Sequence, residues 1–145
     1  MTTSVEKVLS ANDTGETGGH QAGLLVPKEA GILSFFPHLA PATKNPRCPI
    51  DVVDDAGEEW TFNYIYYNNR LWGGTRNEYR LTGMTEFFRR HLLKAGDAVV
   101  FSQTERQAYR IAHRRKERSR NDPESGRKIL HLSGNWVVIE TDLFV

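Results

Sequence analysis

The sequence has too few cysteines for a disulfide or for a zinc site built on cysteines. Its 145 residues include one cysteine, Cys48, which excludes an internal disulfide and a zinc site built on cysteine pairs. No apolar run approaches the length that crosses a membrane, and the N-terminus lacks the charged and then apolar pattern of a secretory signal. We therefore expect a soluble cytoplasmic protein with no membrane partner.

The residue patterns of common catalytic sites are also scarce. A metal-dependent nuclease needs clustered carboxylates beside a lysine, and the nearest imitation, residues 122–128, reads as a solvated turn without a Glu-x-Lys step on a strand. None of the five histidines pairs with another ligand at metal-binding spacing, so we expect no metal and no cofactor. A hydrolase using Asp13 and His20 is the enzymatic alternative, but sequence neighbours rarely form such a catalytic group.

Composition and charge describe one ordinary globular domain over residues 1–145. Hydrophobic residues make up 39% and charged residues 26% of the chain, which is typical of a folded domain. The net charge of +1 hides an asymmetry: residues 1–60 carry 4 basic and 9 acidic side chains, and residues 61–145 carry 15 and 9. A basic half of this kind favours an anionic partner.

Short strands separated by turn signals predict a mainly β fold with two short α-helices, of the barrel type. Residues 1–6 are expected to be a flexible tail. Helices are predicted over residues 28–36 and 83–93, the second with Thr82 as its N-cap and with Met84, Phe87, Phe88 and Leu92 on its core face. Strands are predicted over residues 7–10, 50–53, 60–67, 78–82, 98–103, 108–113, 129–132 and 136–141, and residues 114–128 are predicted to be a charged loop.

The loop between strands 60–67 and 78–82 is the strongest candidate for a binding site. It is too long for a tight hairpin turn, and long loops on small domains are usually functional. Its Gly73–Gly74 pair would let the backbone approach a phosphate closely. Arginine forks and asparagine amides are the side chains that read base edges, although a solvated loop would also carry them. The candidate residues of this C-arm, residues 68–80, are Asn69, Arg70, Trp72, Thr75, Arg76, Asn77, Glu78, Tyr79 and Arg80.

A second candidate arm, the N-arm, covers residues 10–23. It is polar and rich in glycine, it shows neither a helix nor a strand period, and it is too long for a simple turn. Its side chains offer donors and acceptors to a ligand. The candidate contacts are Asn12, Asp13, Thr14, Thr17, His20 and Gln21.

Two stretches resemble the effector-binding domain of EcoRII-type restriction endonucleases. Residues 10–23 read SANDTGETGGHQAG, and residues 65–82 read IYYNNRLWGGTRNEYRLT with a Thr-Arg-Asn-Glu-x-Arg core. Separately, Trp72-Gly73-Gly74 and the run LKAGDAVVF over residues 93–101 are similar to plant B3 transcription-factor domains.

The resemblance implies a B3-like DNA-binding pseudobarrel of about seven strands, whose N-arm and C-arm grip double-stranded DNA from the major-groove side. It implies a target-recognition domain that reads a CC-(A/T)-GG-like site and has no catalytic residues of its own. A nuclease domain in cis or in trans would then hold any divalent metal, and the location would be the prokaryotic cytoplasm, at the nucleoid. A B3-type transcription regulator is the alternative. The chain departs from its relatives at Leu25, where they can have Tyr, and at Tyr79, where they can have Lys.

Overall fold

A computed structural model of the chain describes residues 2–18, 23–40, 42–104, 108–116, 127–131 and 135–141. Within these residues the chain forms nine strands, which confirms a mainly β fold and exceeds the expected count of about seven. The strands are β1 Thr2–Val8, β2 Gly23–Val26, β3 Arg47–Val53, β4 Glu59–Tyr67, β5 Glu78–Thr82, β6 Ala98–Gln103, β7 Tyr109–Arg114, β8 Arg127–His131 and β9 Trp136–Thr141. The helices are α1 Ala11–Thr14, α2 Ala30–Leu33 and α3 Thr85–Arg90, with a 3-10 turn at Asn69–Trp72.

All nine strands belong to one sheet in the order β2-β5-β4-β3-β7-β6-β1-β9-β8. Its neighbours are antiparallel except β3 and β7, which are parallel. The sheet curls back on itself, so that Trp136 at the start of β9 donates its indole N–H to the carbonyl oxygen of Leu25 in β2, at 3.0 Å. This bond joins one edge strand to the opposite side of the sheet and closes the pseudobarrel.

Aromatic and aliphatic side chains from most elements fill the interior of the curled sheet. Phe36 stacks on Tyr64, with 4.9 Å between ring centroids, and Phe87 of α3 packs edge-on against Trp60 at 5.2 Å. Helix α3 therefore covers the core, as predicted. The largest fully buried side chains are Trp136, Tyr64, Phe62, Phe87, Phe101, Leu24, Ile32, Leu81, Met84 and Ile111. None of the helices in the described part of the chain has the length and apolar character needed to cross a membrane.

The expected flexible tail is wrong for residues 2–6. These residues belong to β1, which lies between β6 and β9 and pairs with both. Val5 is completely buried there. The polar residues on either side of it suggested a frayed end, but partners from the far end of the chain decide the outcome, and the sequence of the segment does not show them.

Both predicted helices are shorter than expected. Helix α2 ends at Leu33 rather than at residue 36, and both Phe35 and Phe36 are buried; Pro37 follows, and the residue before a proline avoids the helical region. The second helix begins only at Thr85. Thr82, the expected N-cap, is instead the last residue of β5.

The core face of α3 was predicted correctly except at its end. Met84, Phe87 and Phe88 are buried, but Leu92 is 73% exposed. The helix ends at Arg90, and Leu92 takes a left-handed conformation with φ of 54°. That turn directs Leu93 into the core, where it is 5% exposed.

The paired strands around the candidate loop agree with the sequence. Strand β4 pairs antiparallel with β3 and with β5, and the turn between β3 and β4 is closed by a bond from Gly57 N–H to the carbonyl of Asp54, at 3.0 Å.

Strand β2 was not predicted. The charged loop predicted over residues 114–128 is shorter than expected, since Arg114 belongs to β7 and residues 127–128 belong to β8; residues 117–126 lie outside the described residues.

Candidate functional site

The C-arm connects β4 to β5 and is a shaped turn. Its 3-10 turn Asn69–Trp72 ends at Gly73, which has φ of 89°, a conformation that favours glycine. A side chain at Gly74 would lie 2.8 Å from Cγ of Asn69, so a larger residue there would displace the Asn69 side chain. Both glycines are therefore explained by the shape of the arm, and their predicted approach to a phosphate stays a prediction.

Internal hydrogen bonds hold the arm closed. The side-chain oxygen of Asn69 accepts from the backbone N–H of Arg76 at 2.8 Å, and Arg70 N–H donates to the carbonyl of Arg76 at 3.1 Å. Asn69 was predicted as a ligand contact, and in the structure its oxygen acts inside the arm. The bonds across the arm fix where its exposed residues stand.

The foot of the arm is anchored by Asn68, which sequence reasoning placed in the loop without a role. Asn68 is 1% exposed. Its amide oxygen accepts from the backbone N–H of Asn45 at 2.6 Å, and its amide nitrogen donates to the carbonyl of Thr43 at 2.8 Å. These partners lie more than twenty residues earlier in the chain, and the local sequence of the arm gives no signal of them.

Three charged C-arm residues form one cluster. Glu78 accepts from Nη2 of Arg76 at 2.7 Å and from Nε of Arg80 at 2.8 Å. The guanidinium of Arg76 also lies over the ring of Tyr67, 3.8 Å from its centroid. Burial of the Glu78 carboxyl opposes ionisation, but the hydrogen bonds from both arginines outweigh it and lower the pKa of Glu78. The cluster therefore consists of two cations that share one carboxylate, and each arginine keeps N–H groups that do not bind Glu78.

Stacked tyrosines support the base of this cluster. Tyr66 and Tyr79 lie face to face with 4.2 Å between centroids, and the hydroxyl of Tyr66 donates to the side-chain oxygen of Asn77 at 2.7 Å. Burial, followed by the charge of Tyr66, raises the pKa of Tyr79. Tyr79 was predicted as a ligand contact, and here its ring packs inside the arm.

The outer part of the C-arm presents side chains to solvent. Leu71 is 67% exposed and Trp72 is 46% exposed, and Arg70 and Thr75 are exposed as well. Large apolar side chains at the tip of a rigid turn are available to a ligand and do not serve the core.

The N-arm begins with a helical turn, where no helix was expected. Ser10 caps α1: its hydroxyl accepts from Asp13 N–H at 3.1 Å, and the Asp13 carboxylate accepts from Ser10 N–H at 2.9 Å. This reciprocal pair is a capping box, and the motif Ser-x-x-Asp could have predicted it. Asp13 is 7% exposed, so its role in the structure is to shape the arm.

Four further contacts fix the described part of the N-arm. Lys7 of β1 forms a buried ion pair with Asp13, with 2.9 Å between Nζ and Oδ2. Glu16 accepts from the backbone N–H of Ala95 at 2.8 Å and from the hydroxyl of Thr14 at 2.6 Å. Asn12 accepts from the hydroxyl of Thr17 at 3.3 Å. The predicted contacts His20 and Gln21 lie outside the described residues.

The two arms flank the β2–β5 strand pair from opposite ends. The N-arm enters β2 at Gly23, which faces Thr82, whereas the C-arm enters β5 beside Tyr79, which faces Val26. Three residue steps separate these pairs, or about 10 Å. Between the arms lies a cavity of about 310 Å³. Its wall includes Lys7, Asn12, Asp13, Leu25, Arg80 and Asn135.

The structure gives no support to a catalytic role for the N-arm carboxylate. Asp13 is engaged by Lys7 and by the backbone of Ser10, and the Ser10 hydroxyl accepts a bond from Asp13 N–H rather than donating to a base. In the part of the chain that the structure describes, no group of three or more His, Cys, Asp or Glu side chains is placed to hold a metal ion.

Two arginines from the start of the predicted charged loop, Arg114 and Arg115, are engaged within the protein. Arg114 forms an ion pair with Glu6 of β1 at 2.9 Å. Arg115 donates to the carbonyl of Leu92 at 3.2 Å. Arg118 and Arg120 lie outside the described residues.

Comparison with known proteins identifies the family of this chain. The model of the N-terminal domain of restriction endonuclease EcoRII matches residues 2–111. The type II restriction enzyme EcoRII of Escherichia coli is 39% identical over 98 residues, covering 65% of this chain and 24% of the enzyme. The B3 domain-containing transcription repressor VAL1 of Arabidopsis thaliana is 35% identical over 100 residues, covering 69% of this chain and 11% of the repressor. The chain thus spans a quarter or less of the length of these relatives.

A solved structure shows the same fold. The chain titled "Arabidopsis FUS3-DNA complex" superposes with a TM-score of 0.60 at 27% identity, covering 76% of this chain and 94% of the other. The match confirms the B3-like pseudobarrel predicted from the resemblance. The chain belongs to the family of the N-terminal domain of restriction endonuclease EcoRII.

Proposed function

We propose that this domain binds double-stranded DNA in a sequence-specific manner through its two arms. The observation that carries the proposal is the Arg76–Glu78–Arg80 cluster, which stands at the mouth of the β4–β5 hairpin. Arginine forks recognise guanine, and a carboxylate accepts from the amino group of cytosine. A cluster with both groups suits G·C pairs, and the two relatives and the solved DNA complex belong to DNA-associated proteins by their names.

The spacing of the arms supports a major-groove docking. The points where the two arms join the β2–β5 pair are about 10 Å apart along the strands, and the major groove of B-DNA is about 12 Å wide. Exposed C-arm residues would enter the groove from one side, and the N-arm residues Asn12, Thr17, His20 and Gln21 from the other.

The proposed biological role is target recognition for a restriction endonuclease, at a CC-(A/T)-GG-like site. The similarity to EcoRII over 24% of that enzyme supports it. In this role the domain is not catalytic, and DNA cleavage with its divalent metal belongs to a nuclease domain in cis or in trans. A B3-type transcription regulator is the second candidate, favoured by the 35% identity to VAL1.

One selection experiment tests the proposal. The purified chain is incubated with random duplexes, and bound DNA is amplified and sequenced over several rounds. We expect enrichment of CC-(A/T)-GG, and intact plasmid after incubation with magnesium. Enrichment of a different motif would favour the regulator, and no enrichment at all would refute sequence-specific binding. Cleavage of the plasmid would refute the non-catalytic role.

A further inference from the structure

The cavity between the two arms has a donor-rich wall. Lys7 gives one N–H to Asp13 and one to the carbonyl of Val8, which leaves the third of its ammonium hydrogens. Arg80 uses Nε for Glu78, so its terminal amino groups remain. The amide oxygen of Asn12 accepts from a threonine hydroxyl, which leaves the amide nitrogen as a donor. Within the described residues these groups donate no further hydrogen bond.

The charge of the wall is positive. Lys7 and Arg80 face one carboxylate, Asp13. That carboxylate is already neutralised by Lys7 at 2.9 Å and hydrogen-bonded by the N–H of Ser10 at 2.9 Å. What the cavity offers a ligand is therefore the terminal amino groups of Arg80, whose charge is partly compensated by Glu78, together with the remaining ammonium hydrogen of Lys7 and neutral amide donors. This combination suits a singly charged anion.

A third element of the fold reaches this cavity. Asn135 directly precedes β9 and is exposed. Its φ is 66°, a left-handed conformation that asparagine tolerates. It lines the same cavity as Arg80 and Asn12. Asn135 belongs to neither arm, so it adds an amide from a separate direction.

One wall of the cavity is apolar. Leu25 of β2 is 46% exposed, and its neighbours across the cavity are the polar side chains just described. A ligand that fits must carry an anion on one side and an apolar surface on the other. One unit of a DNA strand has this form, with a singly charged phosphodiester beside a deoxyribose.

We propose that this cavity seats one phosphodiester of the DNA backbone, with its sugar against Leu25, and that Asn135 is a third DNA contact beyond the two arms. The inference rests on the proposed function. A backbone contact midway between two reading arms positions them over the base pairs without choosing sequence. It would fix the register in which the arms read.

Two substitutions at Asn135 show whether its side chain contacts a phosphate or whether the residue only serves its local backbone conformation. Glycine and aspartate both accept a left-handed backbone, so Asn135→Gly and Asn135→Asp should fold equally well. Hydrogen bonds to a charged group are the stronger class, so we expect Asn135→Gly to weaken cognate and scrambled duplexes alike, by about tenfold. Asn135→Asp should weaken both further, because its carboxylate would face the phosphate. Equal affinity of both variants and the wild type would overturn the proposal.

Gln103→Glu is the control for the added negative charge, because it makes the same amide-to-carboxylate change elsewhere. Gln103 pairs with Thr3 at the end of the β1–β6 pair that lies away from the N-arm. It should bind as the wild type does. Duplexes with a single neutral methylphosphonate then locate the contact: one position should restore the affinity of Asn135→Asp. If no single position restores it, the site is wrong although DNA binding stands, whereas a wild type that binds no duplex overturns the proposed function and this site together.

Discussion

Replacing Arg76 with lysine tests the proposed role of the Arg76–Glu78–Arg80 cluster without changing its charge. Lysine keeps a cation that can pair with Glu78, but it has no planar fork and cannot lie flat on Tyr67 as the guanidinium does at 3.8 Å. The change therefore removes the bidentate geometry and leaves the attraction for phosphates in place.

The expected effect falls on discrimination. A bidentate arginine contact to guanine is worth about 1–3 kcal/mol against the wrong base, which corresponds to a loss of about 5- to 150-fold in the ratio of cognate to mismatched affinity. Non-specific affinity and its salt dependence should stay near the wild type, because the number of cations is the same. Arg76 has a side-chain exposure of 33%, so the effect on folding should be small.

Competition binding at one fixed salt concentration measures this ratio, with the selected site and its single-mismatch variants as competitors. Arg89→Lys is the matched control, since Arg89 lies on α3 with a side-chain exposure of 69%. Its ratio should equal that of the wild type. If Arg76→Lys keeps the wild-type ratio, Arg76 does not read bases and the assignment is refuted.

Three further predictions concern stability. Leu92→Gly should raise the free energy of unfolding by about 1 kcal/mol, because Leu92 is exposed with φ of 54°, and a lower urea midpoint would contradict this. Trp136→Phe should lower it by about 1–3 kcal/mol, because the carbonyl of Leu25 loses its 3.0 Å donor; unchanged stability would argue against this closure. Burial, followed by the charges of His91 and Arg115, lowers the pKa of His113 below 6.5. The neutral imidazole therefore contributes stability that is fully present above pH 6.5, and this contribution is lost as the pH falls through the lowered pKa. The loss between about pH 7.5 and about pH 5.5 should shrink in His113→Gln, and an equal loss in both proteins would contradict it.

The C-arm could be predicted because its signals are local. Strand β4 is dense in aromatic and β-branched residues, and the loop after it is too long to be a plain turn. Even the charged cluster was within reach of the sequence: Arg76, Glu78 and Arg80 are spaced two residues apart, and residues at that spacing share one face of an extended chain. The structure confirms this shared face through both ion pairs of Glu78.

The supports of the arms could not be predicted, because they join distant parts of the chain. Asn68 is held by Asn45 and Thr43, and β1 becomes a strand only through β6 and β9. The buried pair of Lys7 and Asp13 is close in sequence, yet its burial depends on the whole barrel. The predicted length of α3 was wrong for a related reason. The apolar spacing extends past Arg90, but the left-handed backbone at Leu92 ends the helical pattern.

The pairing within the C-arm has a consequence for specificity. Arg76 and Arg80 share the carboxylate of Glu78 in the free protein, so part of the arm's positive charge is already compensated. Non-specific attraction to phosphates is weakened in proportion. On the proposed function, the internal ion pairs would persist at a wrong site because they have no better partner there, whereas at the right site base edges would replace them. Discrimination then comes from the difference between these exchanges, and we expect Glu78→Gln to strengthen binding to scrambled DNA while it lowers the cognate preference.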